Sequence, residues 1–141
     1  LTSPYTRMIE RMGDIGCGQK TKMVNQICVA GLIQALAEGL HFAEQAGLDR
    51  SKVMEVISQG AAGSWQMSNR HQTMIDGEYH HGFAIDWMRK DLDICLEEAN
   101  RNGANLAVTR LVNQYYGELQ TLGAGRQDTS ALLLRLQQQK A

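Results

Sequence analysis

Apolar residues recur along this chain at intervals of three and four, and alternation of period two is never sustained over five residues. The helical period therefore dominates from end to end. The longest apolar run follows the glycine turn Gly13-Asp-Ile-Gly16-Cys-Gly18 and continues without proline to the Gly47-Leu-Asp stop. It predicts one helix starting near Gly18 to Lys20 and ending near Ala46, closed by Gly47 in the left-handed conformation. Between Met23 and Ala37 its apolar positions point in nearly every direction, the pattern of a helix packed on all sides. Past Glu38 it becomes amphipathic, with Leu40, Phe42 and Ala43 against His41, Glu44 and Gln45, so its far end reaches solvent.

Shorter helical segments surround this one. Ser3-Pro4 predicts a helix start, with Tyr5 to Met12 as its body. After Gly47, Asp49 or Ser51 caps a helix over Ser51 to Gln59 with Val53, Val56 and Ile57 as its apolar stripe, and Gly60-Ala-Ala-Gly63 ends it. Ser64-Trp65 opens a helix through Ile75, with Trp65 as a core anchor. After a polar stretch from Asp76, another helix buries Met88, Leu92, Cys95, Leu96 and Ala99 and stops at Asn102-Gly103. Leu106 to Leu122 forms the next, burying Leu106, Val108, Leu111, Val112, Tyr115 and Leu119. Gly123-Ala-Gly125 ends it, and Asp128-Thr-Ser130 caps a last helix over Ala131 to Gln139. The expected fold is all-α, a bundle around one long central helix.

Composition narrows what such a bundle does. A chain of 141 residues, 43% of them hydrophobic, suffices for one domain that buries about two-thirds of its unfolded surface. No stretch is expected to cross a membrane. With 14 basic and 15 acidic residues the net charge is −1, which offers no basic face for nucleic acid. Cys17, Cys28 and Cys95 are odd in number and lack C-x-x-C spacing, which fits a reducing cytoplasm. The adjacent His80 and His81 cannot readily chelate one ion, and His41 and His71 provide no H-x₃-H partner, so no metal site is expected.

Candidate chemistry sits at the start of the central helix. Lys22, Asn25 and Gln26 stand at i, i+3 and i+4 and share one face. A cation, two amides and the unpaired N–H groups of a helix start stabilise a carboxylate or a developing alkoxide. The same pattern also suits an ordinary solvated helix end. The glycines at 13, 16 and 18 are not preceded by a strand, so they read as an interdomain hinge and a backbone approach to substrate rather than a phosphate loop.

Gly13, Gly16, Gly18, Lys22, Asn25 and Gln26 make the string G-x-x-G-x-G-x-x-x-K-x-x-N-Q. This resembles the catalytic signature of the β-hydroxyacid dehydrogenase family, which includes 3-hydroxyisobutyrate dehydrogenases and tartronate semialdehyde reductases. Asn-Gln is closer to the reductases than the Asn-Asn of most members. Phe83, Lys90, Asp91 and Leu92 are similarly placed to the family's F-x₆-K-D-L segment. The resemblance implies that Lys22 is the general acid/base at the reacting oxygen, a role that suits a partly buried lysine. It implies that Gly18, Asn25, Gln26, Phe83 and Asp91 bind substrate, that Lys90 contributes to cofactor binding, and that Ser64-Trp65 lies close to the substrate. The family's D-x-S-A, matched by Asp128, Ser130 and Ala131, reads equally well as simple capping.

By the same resemblance the fold is that of the C-terminal domain of 6-phosphogluconate-dehydrogenase-like enzymes. Residues 1–17 are then a remnant of an N-terminal domain and the hinge, and 18–141 the helical substrate and dimerisation domain. NAD or NADP would be bound mainly by a Rossmann domain absent from this chain, which alone would be inactive. The expected partners are a small hydroxyacid and a second copy of the chain. Two rivals remain: a helical oligomerisation or binding module that has lost catalysis, and an unrelated effector-binding or scaffold domain. Retention of Lys22 argues against the first, and the fixed spacing of six signature positions against the second.

Overall fold

In the computed structural model, which describes residues 8–138, α1 (Cys17–Gln45) runs through the middle of a helical bundle. Around it lie α2 (Arg50–Ile57), α3 (Trp65–Asp76), α4 (Ile85–Asn102) and α5 (Ala107–Thr121), followed by a 3₁₀ turn (Thr129–Ala131) that runs into α6 (Leu132–Gln138). No strand occurs among the described residues; Ala84 and Asp128 form one isolated antiparallel bridge.

Local chemistry sets most boundaries. Gly16 turns the chain into α1 with φ of 94°. At the other end Leu48 N–H donates to the Ala43 carbonyl at 2.9 Å and Gly47 N–H to Glu44 at 3.2 Å, with Gly47 at φ 70°, the left-handed closure that its sequence predicts. Asp49 caps α2 by accepting from Lys52 N–H at 3.1 Å. Ser64 caps α3 by accepting from Met67 N–H at 3.0 Å.

The core is one cluster in which Ile33, Ala37 and Leu40 of α1 meet Met54, Met74, Met88, Leu92, Tyr116, Leu119, Leu132 and Leu133. Several expectations fail against it. The α1 helix is not packed on all sides: Val24 (59%), Leu32 (44%) and Phe42 (72%) stand exposed on its outer face. The surrounding helices cover the other face, built from Gln26, Ala30, Ile33, Ala37 and Leu40. By length and apolarity α1 also meets the requirement for a membrane span, with a mean hydropathy of 1.3 in its most apolar window, contrary to expectation. Its buried residues are explained by contacts with α3, α4, α5 and α6.

In α5 the buried residues are Thr109, Val112, Asn113, Tyr116 and Leu119, while Val108 and Leu111 are exposed. Hydrogen bonds to α4 set this rotation: Asn113 donates to Asp93 at 2.7 Å and accepts from Arg89 Nε at 3.3 Å. In α2 Met54 is buried and Val56 exposed. Met8 to Met12 are exposed and not helical; the rest of the expected first helix, with Ser3-Pro4, lies outside the described residues, as does Gln139.

Candidate functional site

The glycine turn delivers α1 with its first two turns facing α4. Positive φ is required at Gly13 (120°) and Gly16 (94°). Gly18 is an exposed residue of the first helical turn with open space where a Cβ would stand. It lines neither of the cavities described next.

Lys22 Nζ lies 3.9 Å from Asp91 Oδ2, and the same oxygen accepts from Gln26 Nε2 at 2.8 Å. Asn25 Nδ2 donates to Gln26 Oε1 at 3.0 Å. The predicted α1 triplet is thus tied to Asp91, 65 residues from Gln26, and Asp91 is largely buried at the junction of α1 and α4. Lys22 itself is not partly buried: its side chain is 70% exposed, because helix starts face outward and no described residue covers it. Beneath it, Cys95 donates its thiol to the Met23 carbonyl at 3.6 Å. Burial, and secondarily the Asp91 carboxylate, pushes that thiol above its ordinary pKa, so it stays protonated and unreactive.

Two cavities meet at Lys22 and Gln26. One, of about 260 Å³, is lined by Gln19, Met23, Lys90, Asp91, Ile94 and Cys95 besides the shared pair. The other, of about 280 Å³, adds Val29, Trp65, Gln66, Arg70, Phe83, Met88 and Thr129. Lys22, Gln26, Phe83, Lys90 and Asp91, drawn from separate stretches of chain, therefore stand around two cavities that share Lys22 and Gln26. Asn25 reaches them only through Gln26.

Trp65 is not a core anchor; it is 62% exposed and holds the Arg70 guanidinium over its ring at 5.3 Å. Arg70 was invisible to sequence reasoning because its partner is remote: Nε lies 3.3 Å from Asp128 Oδ1. Asp128 is fully buried. It caps the 3₁₀ turn as expected, through Ser130 N–H at 3.0 Å and Ser130 Oγ at 2.6 Å. Beyond that it accepts from Phe83 N–H at 2.8 Å, fixing the strap that carries Phe83. The Phe83 ring in turn packs on Trp87 at 5.9 Å.

Comparison with known proteins extends this geometry. Residues 16–136 match the family model described as NAD-binding of NADP-dependent 3-hydroxyisobutyrate dehydrogenase. An uncharacterized oxidoreductase of Shewanella frigidimarina is 60% identical over 139 residues, which span 99% of this chain and 48% of that protein. A probable 3-hydroxyisobutyrate dehydrogenase-like mitochondrial protein of Arabidopsis thaliana is 41% identical over 89% of the chain and 38% of its own length. The crystal structure of a 3-hydroxyisobutyrate dehydrogenase from Salmonella typhimurium superposes with a TM-score of 0.80 at 29% identity, covering 88% of this chain and 44% of that one. The chain spans about half the length of these relatives or less.

Proposed function

Because this chain belongs to the β-hydroxyacid dehydrogenase family, we propose that it is the helical catalytic and substrate-binding part of an NAD(P)-dependent oxidoreductase acting on a short 3-hydroxyacid or its semialdehyde. The observation that supports this reading is the convergence of Lys22, Gln26 and Asp91 on a corner where two cavities meet. NAD(P), when bound, would supply the hydride for reduction and accept it in oxidation. Lys22 protonates the carbonyl oxygen in reduction and takes the proton back in oxidation. Its ammonium is held toward the site by Asp91, whose carboxylate is anchored in turn by the Gln26 amide. Phe83 contacts the substrate from the cavity wall, Asn25 acts by orienting the Gln26 amide, and Gly18 offers its helix-start backbone from outside the cavities.

For the cofactor, this chain offers the exposed Lys90, which suits a dinucleotide phosphate, on the wall shared with Lys22. This chain spans 48% of its 60%-identical relative, and in this reading most of the dinucleotide contact belongs to a Rossmann domain. That domain also covers the Lys22 side chain, and the helical domain by itself lacks turnover. The protein works in the cytoplasm as a homo-oligomer.

Lys22→Met tests the role, since it keeps helix propensity and stem volume but removes the ammonium. In the full-length enzyme kcat is expected to fall by about two orders of magnitude or more, with a smaller change in cofactor affinity. Arginine does not rescue, because it does not release its proton near neutrality. Lys90→Met instead weakens cofactor binding. A Lys22→Met enzyme keeping more than about a tenth of wild-type kcat would contradict the assignment.

A further inference from the structure

The second cavity contains a cation that the proton-transfer chemistry leaves unused. Arg70 reaches the cavity shared by Lys22 and Gln26 with its side chain only 19% exposed. Three features fix it there. Its Nε is paired with the buried Asp128 at 3.3 Å, its guanidinium lies over Trp65 at 5.3 Å, and Nη2 is accommodated by Gly82, where a Cβ would come within 2.9 Å of it. Nη1 reaches the Asn69 carbonyl at 3.4 Å, a long contact. Asp128 is itself saturated by Ser130 and the Phe83 N–H, so the pair is a rigid mount rather than a mobile surface bridge.

With Nε committed to Asp128 and Nη1 making only one long contact, the guanidinium keeps further N–H groups of Nη1 and Nη2 in a planar fork matched to a carboxylate. Substrate contacts at Lys22 are spent on the reacting oxygen, and Gln26 is engaged with Asp91 and Asn25. Arg70 is thus the strong anion donor left on this wall. We propose that Arg70 is a specificity-determining residue that receives a carboxylate of the substrate, so that the site selects hydroxyacids over neutral alcohols. This rests on the reading that the cavity beside Lys22 admits the hydroxyacid. Trp65 and Phe83 flank the acid's carbon chain from the same cavity.

The test uses the full-length enzyme in a Trp87→Phe background, which leaves Trp65 as the reporter in this chain, and titrates malonate, a carboxylate probe with no hydroxyl to oxidise. Arg70→Lys preserves a cation for Asp128 and so preserves the fold, while losing the fork. It is expected to weaken malonate binding by about tenfold or more. It should also raise KM for the hydroxyacid by a similar factor with little change in kcat, and leave kcat/KM for the carboxylate-free alcohol unchanged. Arg70→Met, checked by thermal melting, should go further in the same direction. Equal losses on acid and alcohol, no saturable malonate binding by the wild type, or wild-type malonate affinity in the lysine variant would each overturn the inference. Arg70-dependent malonate binding without turnover of any hydroxyacid would leave Arg70 as a carboxylate receiver and refute the dehydrogenase reading instead.

Discussion

Tyr79 and Tyr116 are buried, and their surroundings oppose ionisation. Burial pushes Tyr79 up from 10.0 to about 12, partly offset by Arg50. Burial pushes Tyr116 higher still, helped by the Asp128 carboxylate and opposed by a side-chain hydrogen bond with Thr129. Each phenol holds its proton more tightly folded than unfolded. The stability it contributes is therefore complete below pH 10.0, the unfolded value, and is lost as pH rises towards about 12, the folded value of Tyr79. A phenolate absorbance titration should show these two tyrosines ionising only as helical circular dichroism is lost, and Tyr79→Phe should make stability fall less steeply in that window. Neither residue is marked by the apolar pattern of the sequence. Tyr115 was expected inside and Tyr116 was not, because counting apolar spacings along α5 ignored the Asn113 hydrogen bonds that set the helix's rotation.

Among the elements, the strap from Gly77 to Ala84 is held by side-chain chemistry rather than by regular structure. Asp128 receives Phe83 N–H at 2.8 Å, and its own N–H donates to the Tyr79 carbonyl at 2.8 Å. Gly82 makes the close approach possible: its φ is +73°, and a Cβ there would overlap the Asp128 carboxylate. Gly82→Ala combines left-handed strain with overpacking of a buried ion pair. It should cost about 2 kcal/mol or more, read as a lower urea midpoint at unchanged slope. Because the same strap carries Phe83 into the cavity beside Lys22, the variant should, under the proposed function, also raise KM for the hydroxyacid. A variant with wild-type stability would show that the strap is looser than this packing implies.

At the scale of the whole molecule, the outer face of α1 is the largest departure from a self-sufficient bundle. Val24, Cys28, Leu32, Ala35 and Phe42 follow one another along that face at helical spacing, all exposed. An apolar stripe of this kind, broken only by the exposed Glu38 and Gly39, marks an interaction surface, in keeping with the proposal that the protein is a homo-oligomer. Sedimentation at high micromolar concentration should give a dimer or larger species. Leu32→Glu should dissociate it while leaving the core intact, because Leu32 is 44% exposed and is not a member of the buried core cluster. A monomeric wild type would refute the proposed assembly.

The sequence by itself determined the helical class, the extent of α1, and its closure at Gly47. Most caps were also legible, because capping and helical periodicity depend on residues within a few positions of one another. It equally marked Lys22, Asn25 and Gln26, whose spacing alone puts them on one face. What it did not determine is which face of each helix turns inward, why Trp65 stands in a cavity wall instead of the core, or how Arg70 is tied to Asp128. Nor did it reveal that Asp91 is the group to which Gln26 and Lys22 are joined. Those outcomes depend on pairings between residues tens of positions apart, such as 26 with 91 and 70 with 128. Only packing of the helices against one another decides them, because a buried carboxylate or amide must find its partner wherever the fold brings one.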